Sequence, residues 1–382
     1  MGWWSASATR REMMGNEGRA SPPPTTAGFS EAWANMSATE KVIIVDPFPR
    51  YSDVVFSPED KHRLESLGRV VWHDGSPAPA THIDDNLANA VAVLGQSAMP
   101  RERLDRAPNL RLIVNIEGNF LPNIDYEECH RRNIYVTTIA PVFAAPVAEM
   151  ALGMAIAAAR GLVEGDAKIR AGNESLYGVD DTADSFLLHG KTMGVIGCGN
   201  LGRELIPMLR PFHGEILAHD PWVHDHVLRS MQLEPVKLDE LFLRSKVVFI
   251  LAPTTTENAG SIDSRYFNLM PRGAVVVLVS RAGIVNFDDL LNAAECGHIR
   301  AAIDVFPEEP IPANHRARRT PNTILSAHRA GNVPEIMHEI GRMAVDDLEL
   351  VLRGLPPQRT QRASLETAAK LRSRAGSSSP KS

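Results

Sequence analysis

The stretch Lys191–Glu204, KTMGVIGCGNLGRE, decides the reading of this chain. An apolar run, TMGVI, leads into Gly197-x-Gly199-x-x-Gly202, and a helical pattern begins immediately after. Glycines at that spacing do three separate jobs. Gly197 permits the tight turn, Gly199 lets a pyrophosphate approach the backbone, and Gly202 lets helix and strand pack closely. The first helical turn then aims its free N–H groups at the anion. A bare glycine pattern is weak, but one that follows a strand and opens a helix has the context this mechanism needs. Asp220 ends the next apolar run, EILAHD. A carboxylate there accepts hydrogen bonds from an adenosine ribose and repels a 2'-phosphate, so NAD is expected rather than NADP. Pro207 and Pro211 fall in the helix, which is expected to kink or end early.

Working outward, SKVVFILA, GAVVVLVS, IRAAIDVF and TILSAHR continue the series. Upstream, KVIIVD, RVVWH, AVAVLG, LRLIVNI and IYVTTI form a second set, with helical segments such as PEDKHRLESLG between them. Continuous apolar strands alternating with helices indicate parallel sheets covered on both faces. The fold class is therefore α/β, with two doubly wound parallel-sheet domains. Between the sets, residues 142–172 are Ala- and Met-rich and expected to be helical on both sides of Pro146. Their apolar surface is broader than one core-facing stripe, which leaves two readings open: contact with a partner subunit, or burial between domains. YGVDDTADSF reads as a loop, and residues 334–354 as a helix stopped by Gly354.

A length of 382 residues suits two domains, and 44% hydrophobic with 23% charged residues is the balance of a soluble globular protein. Net charge is -6, with the last 28 residues at +5 and the remainder at -11. An acidic body repels phosphate backbones, so nucleic acid is not an expected partner. The apolar run MALGMAIAAA, bracketed by Glu149 and Arg160, reads as too short for a membrane span. Three separated cysteines, with no ligand-spaced cluster, fit a reducing cytoplasmic setting and no metal site. Residues 1–40 lack the apolar core of a secretory signal and read as a disordered extension, with an organelle transit peptide as the alternative. Residues 355–382 read as a disordered basic tail.

Three strand ends carry candidate chemistry. GAVVVLVSRAG places Arg281 after its strand, AAIDVFPEEP places Asp304 and Glu309, and LSAHRAGN places His328 and Arg329. Ligands of open α/β sheets bind at the carboxyl ends of strands. An Arg there can clamp a carboxylate with two parallel bonds, an imidazole can move a proton, and an acid can orient and tune the imidazole. Each residue alone is unremarkable, and the case rests on the three together beside a dinucleotide fingerprint.

At these residues the chain, over about residues 41 to 354, resembles the D-isomer-specific 2-hydroxyacid dehydrogenases of phosphoglycerate and glycerate dehydrogenase type. GKTMGVIGCGNLGR, AHDP, SRAGIVNFDDLLNA, AAIDVFPEEP and SAHRAG match that family's signatures in order and spacing. The resemblance implies interconversion of a 2-keto acid and a D-2-hydroxy acid with NAD, catalysed by Arg281, Glu309 and His328. It implies a Rossmann NAD-binding domain over residues 141–330. It also implies a flavodoxin-like, discontinuous substrate domain from residues 41–140 and 331–354, and a homodimer. Gly197, Gly199, Asn200, Leu201, Gly202, Asp220, Pro253, Ser280 and Asp304 would surround the cofactor. Gly118, Asn119, Phe120, Arg281 and Arg329 would surround the substrate.

The departures bear on substrate. In NIEGNFLPNID, Phe120 stands where the family has a second glycine and Glu117 adds a negative charge. Phe143 replaces a frequent Asn, and Leu251 a frequent His. Arg329 is expected either to set specificity, pairing with Glu117, or to prop its loop. These changes argue against the small unbranched 2-keto acids. Formate dehydrogenases pair the His with Gln and use an Asn near Phe143, and both are missing here. The alternative from another class is an NAD(H)-binding regulator or corepressor without turnover.

Overall fold

The computed structural model describes residues 36–175 and 185–370. Most of the expected N-terminal extension, most of the YGVDDTADSF loop and the end of the basic tail lie outside the described residues.

The first set of apolar runs forms β1 (Val42–Asp46), β2 (Arg69–Trp72), β3 (Ala90–Gly95), β4 (Leu112–Asn115) and β5 (Tyr135–Thr138). The second forms β6 (Met193–Ile196), β7 (Ile216–His219), β8 (Glu234–Pro235), β9 (Val247–Ile250), β10 (Ala274–Leu278), β11 (Ile299–Ile303) and β12 (Thr323–Leu325). A short β13 (Gln361–Arg362) follows near the end. The sheets run β13-β5-β4-β3-β1-β2 and β12-β11-β10-β9-β6-β7-β8. All pairings are parallel except β13 on β5. Strand order reverses between β1 and β3 in one sheet and between β6 and β9 in the other, and such reversals open crevices. β1, β3 and β10 are buried along their whole length, as sheets covered on both faces require.

Register explains why distant motifs meet. Across the second sheet Ile196 pairs with Ile250, Ile250 with Leu278, Leu278 with Ile303, and Ile303 with Leu325. The strands therefore end in one row. The glycine turn, Arg281, Asp304 and His328 all sit one to three residues beyond it.

Helix Ala144–Arg160 crosses to the second sheet. Pro146 lies in its first turn, where a missing N–H costs nothing, so the helix is continuous through it. Val147, Ala148, Ala151, Met154 and Ala155 pack into a core with Val195, Leu205, Val275 and Val277. With the turn before it, the helical stretch Ala140–Arg160 spans 21 residues, long and apolar enough by composition to cross a membrane. This corrects the expectation of a run that is too short. Half of its most apolar window is buried inside the protein, and packing on the sheet accounts for that character. Gly161, at φ +60°, ends the helix, and helix Leu162–Ala171 follows with no buried residue.

Helix Asn200–Leu209 contains Pro207 and gives way to a 3-10 turn at Arg210–Phe212, where Pro211 lies, so it ends early as expected. Helix Met337–Leu352 returns to the first sheet, and Met337, Ile340, Ala344, Leu348 and Val351 join a core with Ile43, Val45, Leu94 and Val114.

Residues 355–370 differ from the expected disordered tail. Asp347, fully buried, accepts backbone N–H bonds from Gln358, Arg359 and Thr360 at 2.7–3.1 Å, and the Thr360 hydroxyl at 2.6 Å. Arg359 also pairs with Asp346 and Glu339. A buried carboxylate that satisfies three backbone donors fixes the chain without a large apolar side chain. β13 and helix Leu365–Lys370 follow from that anchor.

Candidate active site

One cavity of about 640 Å³ lies between the two sets of strand ends, within the size range of small-molecule sites. Its second-sheet wall begins with the glycine turn. Gly197 has φ +92°, and a Cβ on it would lie 2.6 Å from the Ala252 nitrogen. A Cβ on Gly202 would lie 2.5 Å from the Gly197 carbonyl oxygen. Gly199 has no neighbour within 4 Å of that position, so its backbone faces open space at the helix N-terminus. These distances show the tight turn at Gly197 and the close packing at Gly202, and they leave room beside Gly199. The cradle fits a dinucleotide pyrophosphate, which the helix N-terminus at Asn200 and Leu201 would hold through its free N–H groups.

Asp220 accepts the Cys198 N–H at 2.8 Å through one oxygen and the Trp222 N–H at 2.9 Å through the other. It lines the cavity, and its remaining lone pairs suit a ribose. Burial and Asp220 push the Cys198 thiol up to about 12, so it is inert beside the turn. Pro253 and Leu251 line the same wall, and the buried Ser280 donates to the Ile250 carbonyl at 3.0 Å.

Past the row of strand ends stand the three candidate catalytic side chains. His328 Nδ1 lies 2.6 Å from Glu309 Oε2, and Glu309 Oε1 accepts the Phe306 N–H at 2.8 Å. Partial burial pushes the Glu309 carboxyl up. The bonds from His328 and Phe306, with the charges of His328 and Arg281, outweigh it and hold the group below its usual range. An ionised Glu309 fixes Nδ1 as the donor and leaves Nε2 as the free ring nitrogen of a residue that lines the cavity. Arg281 donates to Asn119 Oδ1 at 2.7 Å and to the Ser280 carbonyl at 2.7 Å. Burial pulls its pKa below the usual guanidinium value, opposed by Glu309 and Glu117. This set can hold a carboxylate at Arg281 and exchange a proton at His328.

Asp304, expected at the cofactor, lines the cavity but is spent on the loop. It is fully buried; its carbonyl accepts the His328 N–H at 2.7 Å, and its carboxylate accepts Arg329 N–H at 2.9 Å and Ala330 N–H at 3.1 Å. His328 has φ +51°, a left-handed conformation that costs a non-glycine residue energy. Asp304 holds that conformation by three bonds.

The first-sheet wall carries Gly118, Asn119, Phe120 and Phe143. Phe120 is buried edge-on to Tyr126, at 6.2 Å between ring centres. Phe143 lies against Gly118 and Gly331, with 3.4 Å and 3.2 Å to the Cβ positions these lack. Arg329 does not reach Glu117: it is exposed, and Glu117 pairs with Arg50. Sequence reading passed over Arg50, although it follows β1 as Arg281 follows β10. It also passed over Gln361 and Thr367, which line the cavity; Gln361 accepts a bond from the Asn200 side chain at 2.7 Å. Among the described residues no group of His, Cys, Asp or Glu could hold a metal ion.

Residues 152–330 match the family model described as D-isomer specific 2-hydroxyacid dehydrogenase, NAD binding domain. A glyoxylate reductase of Thermofilum pendens is 31% identical over 304 residues, covering 77% of this chain and 88% of that protein. A D-3-phosphoglycerate dehydrogenase of Methanocaldococcus jannaschii is 28% identical over 82% of this chain, which spans only 58% of that protein's length. A solved phosphoglycerate oxidoreductase from Rhizobium etli superposes with a TM-score of 0.75 at 38% identity, covering 85% of this chain and 98% of that one.

Proposed function

The chain belongs to the D-isomer-specific 2-hydroxyacid dehydrogenase family and carries its NAD-binding domain, and from that premise we propose that it interconverts a 2-keto acid and a D-2-hydroxy acid with NAD. The observation that carries this reading is the 2.6 Å bond joining Glu309 to His328, which lines one cavity with Arg281 and the glycine turn.

When bound, NADH supplies the hydride. Arg281 holds the substrate carboxylate and, with the backbone near Gly118 and Asn119, orients the carbonyl. His328 gives its Nε2 proton to the carbonyl oxygen, and Glu309 stabilises the imidazolium that this step needs. In the reverse direction His328 takes the hydroxyl proton. Asp304 keeps the His328 loop in place, and Asp220 favours an unphosphorylated ribose.

The test is NADH consumption by the purified protein across 2-keto acids from glyoxylate to aromatic ones, with NADPH as a control. NADH-dependent turnover supports the reading. NADH binding without turnover of any acid would favour a regulator that senses the dinucleotide.

Glu309→Gln tests the pair. Glu309 is held below its usual range and so carries a negative charge beside Nδ1. The neutral amide keeps the shape but loses the charge that stabilises imidazolium, so kcat/KM for reduction should fall by roughly tenfold or more. A kcat/KM equal to that of the wild type would remove Glu309 from this role.

We also propose a homodimer. Leu162, Val163 and Ile169 on helix Leu162–Ala171 are 65%, 48% and 65% exposed, and Leu187 is 62% exposed. A second copy would cover this face. The mass in solution, by sedimentation, decides it.

A further inference from the structure

The first-sheet wall of the cavity holds an ion pair that catalysis does not use. Arg50 follows β1 and Glu117 follows β4, and both line the cavity. Arg50 Nε lies 2.7 Å from Glu117 Oε1, and Arg50 Nη2 lies 3.3 Å from Oε2, a two-bond fork. The third nitrogen, Nη1, is 3.1 Å from the Met337 sulfur, and the guanidinium carbon is 5.7 Å from the centre of the Phe143 ring. The side chains are 19% and 22% exposed. Phe143, lodged between Gly118 and Gly331, backs the cation.

The charge balance of this wall restricts the substrate. The Nε–Nη2 edge of Arg50 is filled by Glu117, and its third nitrogen faces a thioether. The carboxylate of Glu117 stands in the same cavity as Arg281. A substrate with one carboxylate can use Arg281. A second anionic group would meet Glu117 with no free cation fork to offset it, and unpaired like charges are an effective means of rejection.

We propose that the Arg50–Glu117 pair is a specificity-determining element that selects 2-keto acids with a neutral distal substituent and rejects those with a second anionic group. The inference rests on the 2-keto acid reading above. Glu117 is the rejecting residue, and Arg50 holds it in position.

The test compares 4-methyl-2-oxopentanoate and phenylpyruvate with 2-oxoglutarate and 3-phosphohydroxypyruvate, using the full chain with NADH. The wild type should favour the neutral acids in kcat/KM by tenfold or more. Glu117→Gln keeps the shape, frees the Arg50 fork and removes the repelling charge, so the anionic-to-neutral ratio should rise at least tenfold. Arg50→Met leaves Glu117 uncompensated and should lower the same ratio. Affinities of the four acids for the protein–NADH complex, read from NADH fluorescence, provide the ratio without turnover. If no acid oxidises NADH but the binding ratio shifts as stated, the dehydrogenase reading fails and the pair keeps its role. A ratio that Glu117→Gln leaves in place, by either readout, overturns the proposal, as does a wild type that prefers the anionic acids.

Discussion

His328→Asn is expected to lower kcat/KM for 2-keto acid reduction about a thousandfold, the middle of the range for loss of a positioned proton donor. The choice of Asn matters because residue 328 sits at φ +51°. Asn tolerates that left-handed region better than most residues, so the loop held by Asp304 should persist and the loss should report chemistry. A β-branched replacement would mix the two effects. The variant should still quench or enhance NADH fluorescence on binding, since the glycine turn is untouched. Activity within tenfold of the wild type would mean that the proton comes from another group or from water.

Arg281→Met is expected to lower kcat/KM by roughly a hundredfold to ten thousandfold. The estimate takes two charge-assisted hydrogen bonds at about 1.5–3 kcal/mol each. Met fills much of the volume while removing charge and donors. It also leaves Asn119 Oδ1 without the partner it has at 2.7 Å, so some of the loss will be disorder in the substrate loop. Arg281→Lys separates the contributions, because it restores charge without the planar fork and should recover only part of the loss. A KM for keto acids that survives both variants would place the carboxylate elsewhere.

The nucleotide half of the site was legible because its physics is local. Gly197, Gly199 and Gly202 act within one turn, and the parallel strands announce their ends as apolar runs stop. Once register aligns those ends, Arg281, Glu309 and His328 must converge. The first-sheet wall was less legible. Arg50 and Glu117 are 67 residues apart and meet only because β1 and β4 flank β3. The expected partner, Arg329, is adjacent to His328 in sequence, but its backbone is bound by Asp304 while its side chain is exposed. Residues 355–370 read as tail because nothing in their composition announces burial. Their order comes from one carboxylate, Asp347, whose role depends on its depth in the fold.

The returning helix Met337–Leu352 has a consequence for synthesis. Helix Ala144–Arg160 and strands β6 to β12 follow one another in sequence, so the second sheet can bury both faces as soon as they have all emerged. Strands β1 to β5 leave the ribosome much earlier, yet the face formed by Ile43, Val45, Leu94 and Val114 is completed by Met337, Ile340, Leu348 and Val351. About two hundred residues must be made in between, roughly ten to forty seconds at ordinary elongation rates. Throughout that interval strands β1 to β5 carry an uncovered apolar face, and a chaperone would find its binding site there.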